Sequence, residues 1–139
     1  MTMTPETDVR PASVVILRAG AIGIVIAVGL NLILYFVSTT IGALPIMSGL
    51  GQPITLAPVL NFTIGGGAVG TILYLILTRF FIRERANTIF VTIAALVLIG
   101  MSLTPITSIP EPTMATVLML EIMHLAAGLP PMYTLTKMT

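Results

Sequence analysis

Long apolar runs alternate along the chain with short segments that hold most of the charged residues and prolines. A transmembrane helix needs about 20 predominantly apolar residues, because the hydrocarbon core of a bilayer is about 30 Å thick. Four runs meet this requirement. The pattern therefore predicts an all-α, four-helix transmembrane bundle of up-down topology, with spans at residues 12–37, 59–82, 86–103 and 112–129.

Two polar tails are predicted to flank this membrane domain of residues 12–131. Residues 1–11 are short and polar, which is typical of a disordered tail. Gly128, Pro130 and Pro131 are expected to end the fourth helix, because proline cannot continue the hydrogen-bond ladder. Residues 132–139 then form the second tail.

The first span could also be interpreted as a secretory signal peptide, since the chain begins with charged residues followed by an apolar core. The uninterrupted apolar stretch from Ala19 to Val37 has 19 residues, which is longer than the ~7–15 of a signal-peptide core. We therefore expect an uncleaved transmembrane helix.

The connections differ in character. The predicted loop 38–58 is rich in glycine and proline and has no charge, so it either lies along the membrane interface or caps the bundle, or it is a flexible connector. The predicted loop 104–111 begins where Pro105 stops the third helix.

Composition supports a lipid environment. The chain is 56% hydrophobic and 8% charged, with a mean hydropathy of +1.09, whereas a soluble domain is about 25% charged. The absence of cysteine excludes disulfides and thiol chemistry. A net charge of +1 is too small to predict nucleic-acid binding.

Charge distribution predicts an orientation. With four spans, one side of the membrane receives all six basic residues, which are Arg10, Arg18, Arg79, Arg83, Arg85 and Lys137. Basic residues accumulate on the cytoplasmic side, so both termini are expected in the cytoplasm. The cluster Arg79, Arg83 and Arg85 is expected to bind anionic lipid headgroups.

Small and polar residues at helical spacing predict the faces along which the helices pack, because helix association in lipid depends on close approach and polar contacts. The predicted stripes are Ala19, Gly23, Ala27 and Asn31 on the first helix, Thr63, Gly67, Gly70 or Thr71, Tyr74 and Thr78 on the second, and Val117, Glu121, His124 and Gly128 on the fourth.

The segment 65–70 matches the G-x-G-x-x-G pattern of dinucleotide-binding loops. That pattern requires a preceding strand and an acidic residue about 20 positions later. Here the segment lies inside an apolar span and the next acidic residue, Glu84, belongs to a predicted turn, so helix packing is the better explanation.

Glu121 and His124 carry the most distinctive chemistry, because they lie three residues apart on one helix face inside an apolar run. Three interpretations remain open. In the first, the two residues lock the helices together by bonding to each other, to Asn31 or to Arg18. In the second, Glu121 binds a proton or cation in a central cavity. In the third, the two residues ligate a metal. The metal interpretation is the weakest, since no second histidine exists. No metal, cofactor or catalytic residue is predicted.

Several short motifs resemble a family of small bacterial four-helix membrane proteins that is itself catalogued as being of unknown function. They are Arg18-Ala19-Gly20, Asn31, Pro45-Ile46, Ser102-x-x-Pro105 and Met123-His124-Leu125-Ala126-Ala127. The resemblance covers residues 18–128. It implies a four-span protein of a bacterial inner membrane and brings no activity, substrate or cofactor with it.

The leading functional expectation is a non-enzymatic, multi-pass protein of the cell membrane that serves as an accessory or structural subunit, as a homo-oligomer or in a larger complex. The alternative is a small proton-coupled transporter or channel that uses Glu121 and His124. A membrane enzyme comes third.

Overall fold

The computed structural model describes residues 11–44, 54–109 and 112–139, which are almost entirely helical and include no strand. The helices are α1 (Ser13–Thr40), α2 (Leu56–Phe80), α3 (Arg83–Ser102), α4 (Thr104–Ser108) and α5 (Met114–Lys137). Within these residues α1, α2, the joined α3 and α4, and α5 are each long and apolar enough to cross a membrane. The predicted all-α fold with four membrane-length helices is confirmed.

α1 extends to Thr40, three residues beyond the predicted span. Its last hydroxyl side chains, Ser38, Thr39 and Thr40, bond to carbonyl groups of the preceding turn and so remain compatible with a helix in an apolar medium. Gly42 then adopts φ of +67°. The Ala43 N–H donates to the Ser38 carbonyl over 2.8 Å, which is the 6→1 bond of a Schellman motif.

α2 begins at Leu56, so the predicted loop 38–58 is shorter than expected at both ends. Pro58 is the third residue of this helix, where a missing backbone N–H removes no helical bond. Residues 45–53 lie outside the described residues. The predicted contact of the loop with the membrane falls on these residues and stays a prediction. At its other end α2 connects to α3 through Phe81 and Ile82 alone.

The predicted loop 104–111 is not wholly irregular, because it contains the single helical turn α4. Pro105 is tolerated there as the second residue of the helix. α5 follows, and Thr113 caps it by accepting a 3.1 Å hydrogen bond from the Thr116 N–H.

The predicted end of the fourth helix at Leu129 is wrong, because α5 continues through Pro130 and Pro131 to Lys137. Neighbouring helices allow prolines within transmembrane helices, and here Pro131 is buried against α1. A Cβ atom on Gly23 would lie 2.6 Å from the Cα atom of Pro131, so glycine permits this close approach. The predicted tail 132–139 is therefore mostly helix.

The predicted packing faces of the first two helices are confirmed. The buried residues include Ala19, Gly23, Ala27 and Asn31 on α1, and Thr63, Gly67, Thr71, Tyr74 and Thr78 on α2. On α5 the predicted stripe is only half-buried, and the buried residues are Thr116, Met123, Pro131, Thr134 and Leu135. The predicted stripe lies to one side of this face, towards α3, where Gly128 contacts Leu98.

α3 is the most weakly packed of the long helices. Only Ala86 and Phe90 are buried on it, and Phe90 packs edge-on against Tyr74 with ring centroids 5.1 Å apart. The segment 65–70 lies inside the continuous helix α2, so it forms no phosphate-binding loop.

Candidate functional site

The level of each polar residue in the bundle follows from the contacts of α1. Gly23 packs against Pro131 and Thr134 of α5, and Gly20 packs against Thr71 of α2. α1 runs antiparallel to α2, because Asn31, further along α1, bonds to Thr63, earlier in α2. It also runs antiparallel to α5, because residues 30–34 of α1 lie beside residues 122–130, which precede the residues of α5 that Gly23 meets. Asn31 lies eight residues beyond Gly23 on α1. On the antiparallel α5 it is therefore level with residues 123–126, which lie eight residues before Pro131 and Thr134.

Asn31 connects α1 to α2 inside the apolar part of the bundle. Its side chain is 2% exposed, and its Nδ2 donates a 2.8 Å hydrogen bond to the Thr63 Oγ1. The Thr63 hydroxyl donates in turn to the Val59 carbonyl over 2.7 Å. The Asn31 Oδ1 is buried and has no hydrogen-bond partner in the part of the chain that the structure describes.

Glu121 and His124 are half-buried on α5. The Oε1 atom of Glu121 and the Nδ1 atom of His124 are buried without hydrogen-bond partners among the described residues. The two side chains therefore do not bond to each other through these atoms. With Asn31 they form what we call the central polar cluster, because all three lie at a similar level and each carries an unpartnered polar atom.

Arg18 does not belong to this cluster. It is exposed near the start of α1, beyond the level at which Gly23 meets Thr134. Glu121 lies 16 residues before Lys137, the last residue of α5, or about 24 Å along the helix axis. Because Gly23 meets Thr134, Arg18 lies level with the last turn of α5, and the possible bond between Arg18 and Glu121 does not form.

His124 also lines a cavity of about 240 Å³ between α2, α3 and α5. The cavity lies beside the part of α3 that begins at its last buried residue, Phe90. Its wall is apolar apart from Thr63 and His124. His124, a member of the central polar cluster, therefore borders a space that could hold a small molecule.

The basic residues gather at one end of the bundle. Arg79, Arg83 and Arg85 are exposed at the α2–α3 connection, and the Arg85 guanidinium lies 5.4 Å from the centre of the Phe81 ring. Arg18 and Lys137 lie at the same end. Apart from Glu121, every charged residue in the described ranges is found there.

A second polar cluster at this end was missed from the sequence. The Tyr74 hydroxyl donates to the Asn87 Oδ1 over 2.6 Å and lies 2.9 Å from the Thr139 Oγ1. The cluster ties the C-terminal end of the chain to the α2–α3 hairpin. Assigning residues 132–139 to a tail concealed it, although a tyrosine on a buried stripe signals a need for a polar partner.

The described residues contain no group of three or more His, Cys, Asp or Glu side chains that could hold a metal ion. Within the central polar cluster the metal-binding side chains are Glu121 and His124 alone.

The model of a family of unknown function (DUF6069) matches residues 11–138. Comparisons with curated proteins and with solved structures give no match. The match extends over α1 to α5, and it confirms the resemblance drawn from the short motifs to a four-helix family of unknown function. The chain belongs to DUF6069.

Proposed function

We propose that the protein is a non-enzymatic, multi-pass subunit of a larger assembly in the cell membrane, and that α3 is the helix that contacts the partner. The observation that supports this proposal is the weak attachment of α3. Both of its buried residues, Ala86 and Phe90, lie in its first eight residues. Beyond Phe90 no residue of α3 is buried, although Leu98 contacts Gly128 of α5.

The outward surface of α3 suits another helix. Thr88, Thr92, Leu96 and Gly100 follow one another at four-residue spacing and are all exposed. A Cβ atom at Gly100 would meet nothing within 4 Å. Small residues at this spacing allow close approach between transmembrane helices, so a second copy of the chain or a different membrane protein could pack here.

We also propose that both termini face the cytoplasm. The support is the gathering of Arg18, the arginines of the α2–α3 connection and Lys137 at one end of the bundle. Basic residues are retained on the cytoplasmic side during membrane insertion.

Cysteine crosslinking in native membranes tests the subunit proposal, since the chain has no cysteine of its own. Leu96→Cys places a thiol on the outward surface of α3, and Val25→Cys is the matched control on α1, because Leu96 and Val25 are 64% and 71% exposed. We expect Leu96→Cys to give one dominant adduct, identified by mass spectrometry, and Val25→Cys to give none. Equal yields from both positions, or no adduct from either, would contradict the proposal.

A second candidate function is the handling of a proton or cation by Glu121 and His124. The unpartnered buried atoms of the central polar cluster favour it, because an unsatisfied polar group in a membrane costs several kcal/mol. A partner protein cannot satisfy these atoms without opening the bundle, whereas a proton, a cation or a water molecule can enter.

Flux through liposomes tests this second candidate. We expect Glu121→Gln to abolish pH-dependent flux while thermal stability stays unchanged. Flux that persists in Glu121→Gln would remove Glu121 from any transport mechanism.

A further inference from the structure

We infer that the cavity between α2, α3 and α5 binds a lipophilic molecule that has one apolar chain and, at one end, a single hydrogen-bonding head group that contacts His124. This inference goes beyond the proposed subunit role and does not depend on it, because it concerns the inner side of α3 rather than its outward surface.

The cavity has an elongated shape. It is lined on α2 from Phe62 to Leu73 and on α3 from Phe90 to Met101, and each of these stretches covers about 16 Å of helix axis. The cavity holds about 240 Å³, and its wall is apolar apart from Thr63 and His124. An elongated apolar space of this kind suits a single apolar chain.

The polar groups of the cavity wall lie at one end. Thr63 and His124 adjoin Phe62 and Met101, whereas Leu73, Phe90 and Met132 form the other end. The Thr63 hydroxyl is already engaged by Asn31 and by the Val59 carbonyl. Among the described residues, His124 is thus the polar side chain of the wall whose hydrogen-bonding capacity is unused.

His124 can make one contact with a ligand, through its Nε2 atom. Its Nδ1 atom is buried without a partner, and no described residue forms a hydrogen bond with its Nε2 atom, which is not among the buried atoms. An imidazole nitrogen either donates or accepts. A carboxylic acid at the end of an apolar chain would supply a partner for the Nε2 atom.

Gly66 provides the means to test occupancy. It lines the cavity, and a Cβ atom at this position would meet nothing within 4 Å. Its neighbour Gly65 has the same free space but does not line the cavity. A leucine at position 66 would fill the cavity, whereas a leucine at position 65 would point away from it.

The experiment uses the full chain in phosphatidylcholine vesicles and a palmitic acid with a photoactivatable diazirine in the distal half of its chain. We expect labelling near Leu73, Phe90 and Met132, as mapped by mass spectrometry. Gly66→Leu should reduce this labelling at least about tenfold, and Gly65→Leu should leave it unchanged. His124→Leu should reduce it about tenfold, which corresponds to the loss of one buried hydrogen bond, and His124→Gln should retain most of it.

Two results would overturn the inference. Equal labelling of all variants would mean contact with bulk lipid only. Equal labelling by a diazirine alkane that lacks the head group would remove the role of His124. Gly66→Ala, which adds a single methyl group, should reduce labelling to an intermediate level, and circular dichroism of each variant separates loss of binding from loss of fold.

Discussion

The side-chain amide of Asn31 donates a 2.8 Å hydrogen bond to the hydroxyl of Thr63, and this bond joins α1 to α2 inside the membrane-length part of the bundle. The Oδ1 atom of the same amide is buried without a partner among the residues that the structure describes. The same residue therefore stabilises the bundle and contributes an open acceptor to the central polar cluster.

Thr63→Val is expected to destabilise the protein by about 1–3 kcal/mol, because both polar atoms of the buried Asn31 amide would then lack a partner. Asn31→Leu should cost less, since it removes the amide together with its unpartnered oxygen. The measurement is reversible unfolding in mixed micelles.

The double variant should lose less than the sum of the single variants, with a coupling of about 0.6–1.7 kcal/mol. Thr92→Val is the matched control, because the exposed Thr92 bonds only to the Thr88 carbonyl of its own helix. Additive losses would show that Asn31 and Thr63 do not interact in the membrane.

Gly23→Ala is expected to destabilise the bundle by about 1–3 kcal/mol through overpacking. The new Cβ atom would lie 2.5 Å from the Thr134 Oγ1 and 2.6 Å from the Pro131 Cα, so α1 and α5 would have to separate. Gly29→Ala on the same helix meets nothing within 4 Å and should be neutral, or stabilising by up to about 1 kcal/mol. Thermal unfolding of the two variants in the same detergent compares them directly, and an equal response would contradict the α1–α5 contact.

Tyr74→Phe is expected to cost about 1–2 kcal/mol, because the buried hydroxyl bonds to Asn87 and lies in contact with Thr139. Release of the last turn of α5 should also speed its digestion by carboxypeptidase. Tyr133→Phe is the control, since Tyr133 is 64% exposed. Unchanged digestion of Tyr74→Phe would mean that the C-terminal end is held by other contacts.

The orientation is testable with single cysteines at the two ends of the bundle. Ile41→Cys and Met138→Cys both replace exposed residues. A membrane-impermeant maleimide should label Ile41→Cys in intact cells, and it should label Met138→Cys only after permeabilisation. The reverse pattern would place the termini outside.

Neutralising Arg79, Arg83 and Arg85 together should produce mixed labelling of both cysteines, because the main difference in basic charge between the two sides would be lost. Retention of a single orientation would show that Arg18 and Lys137 suffice.

The sequence predicted the packing faces of α1 and α2 well. Ala19, Gly23 and Ala27 are small residues at four-residue spacing, and in lipid this local pattern serves mainly the close approach of helices. It predicted α5 less well. Glu121 and His124 were predicted on its packing face, and they lie instead to one side of the buried face, where His124 borders the cavity.

The sequence by itself determined the four membrane-length helices and the collection of basic residues at one end. The length of an apolar run and the positions of the charges can be read without knowing which residues are close in space. Only the tertiary structure decided that α5 continues through Pro130 and Pro131, since the close approach of Gly23 on another helix stabilises that segment. It also decided which polar groups meet. Asn31 pairs with Thr63 and Tyr74 with Asn87, while Arg18 and Glu121 stay apart, because these distances depend on how the helices are offset along one another.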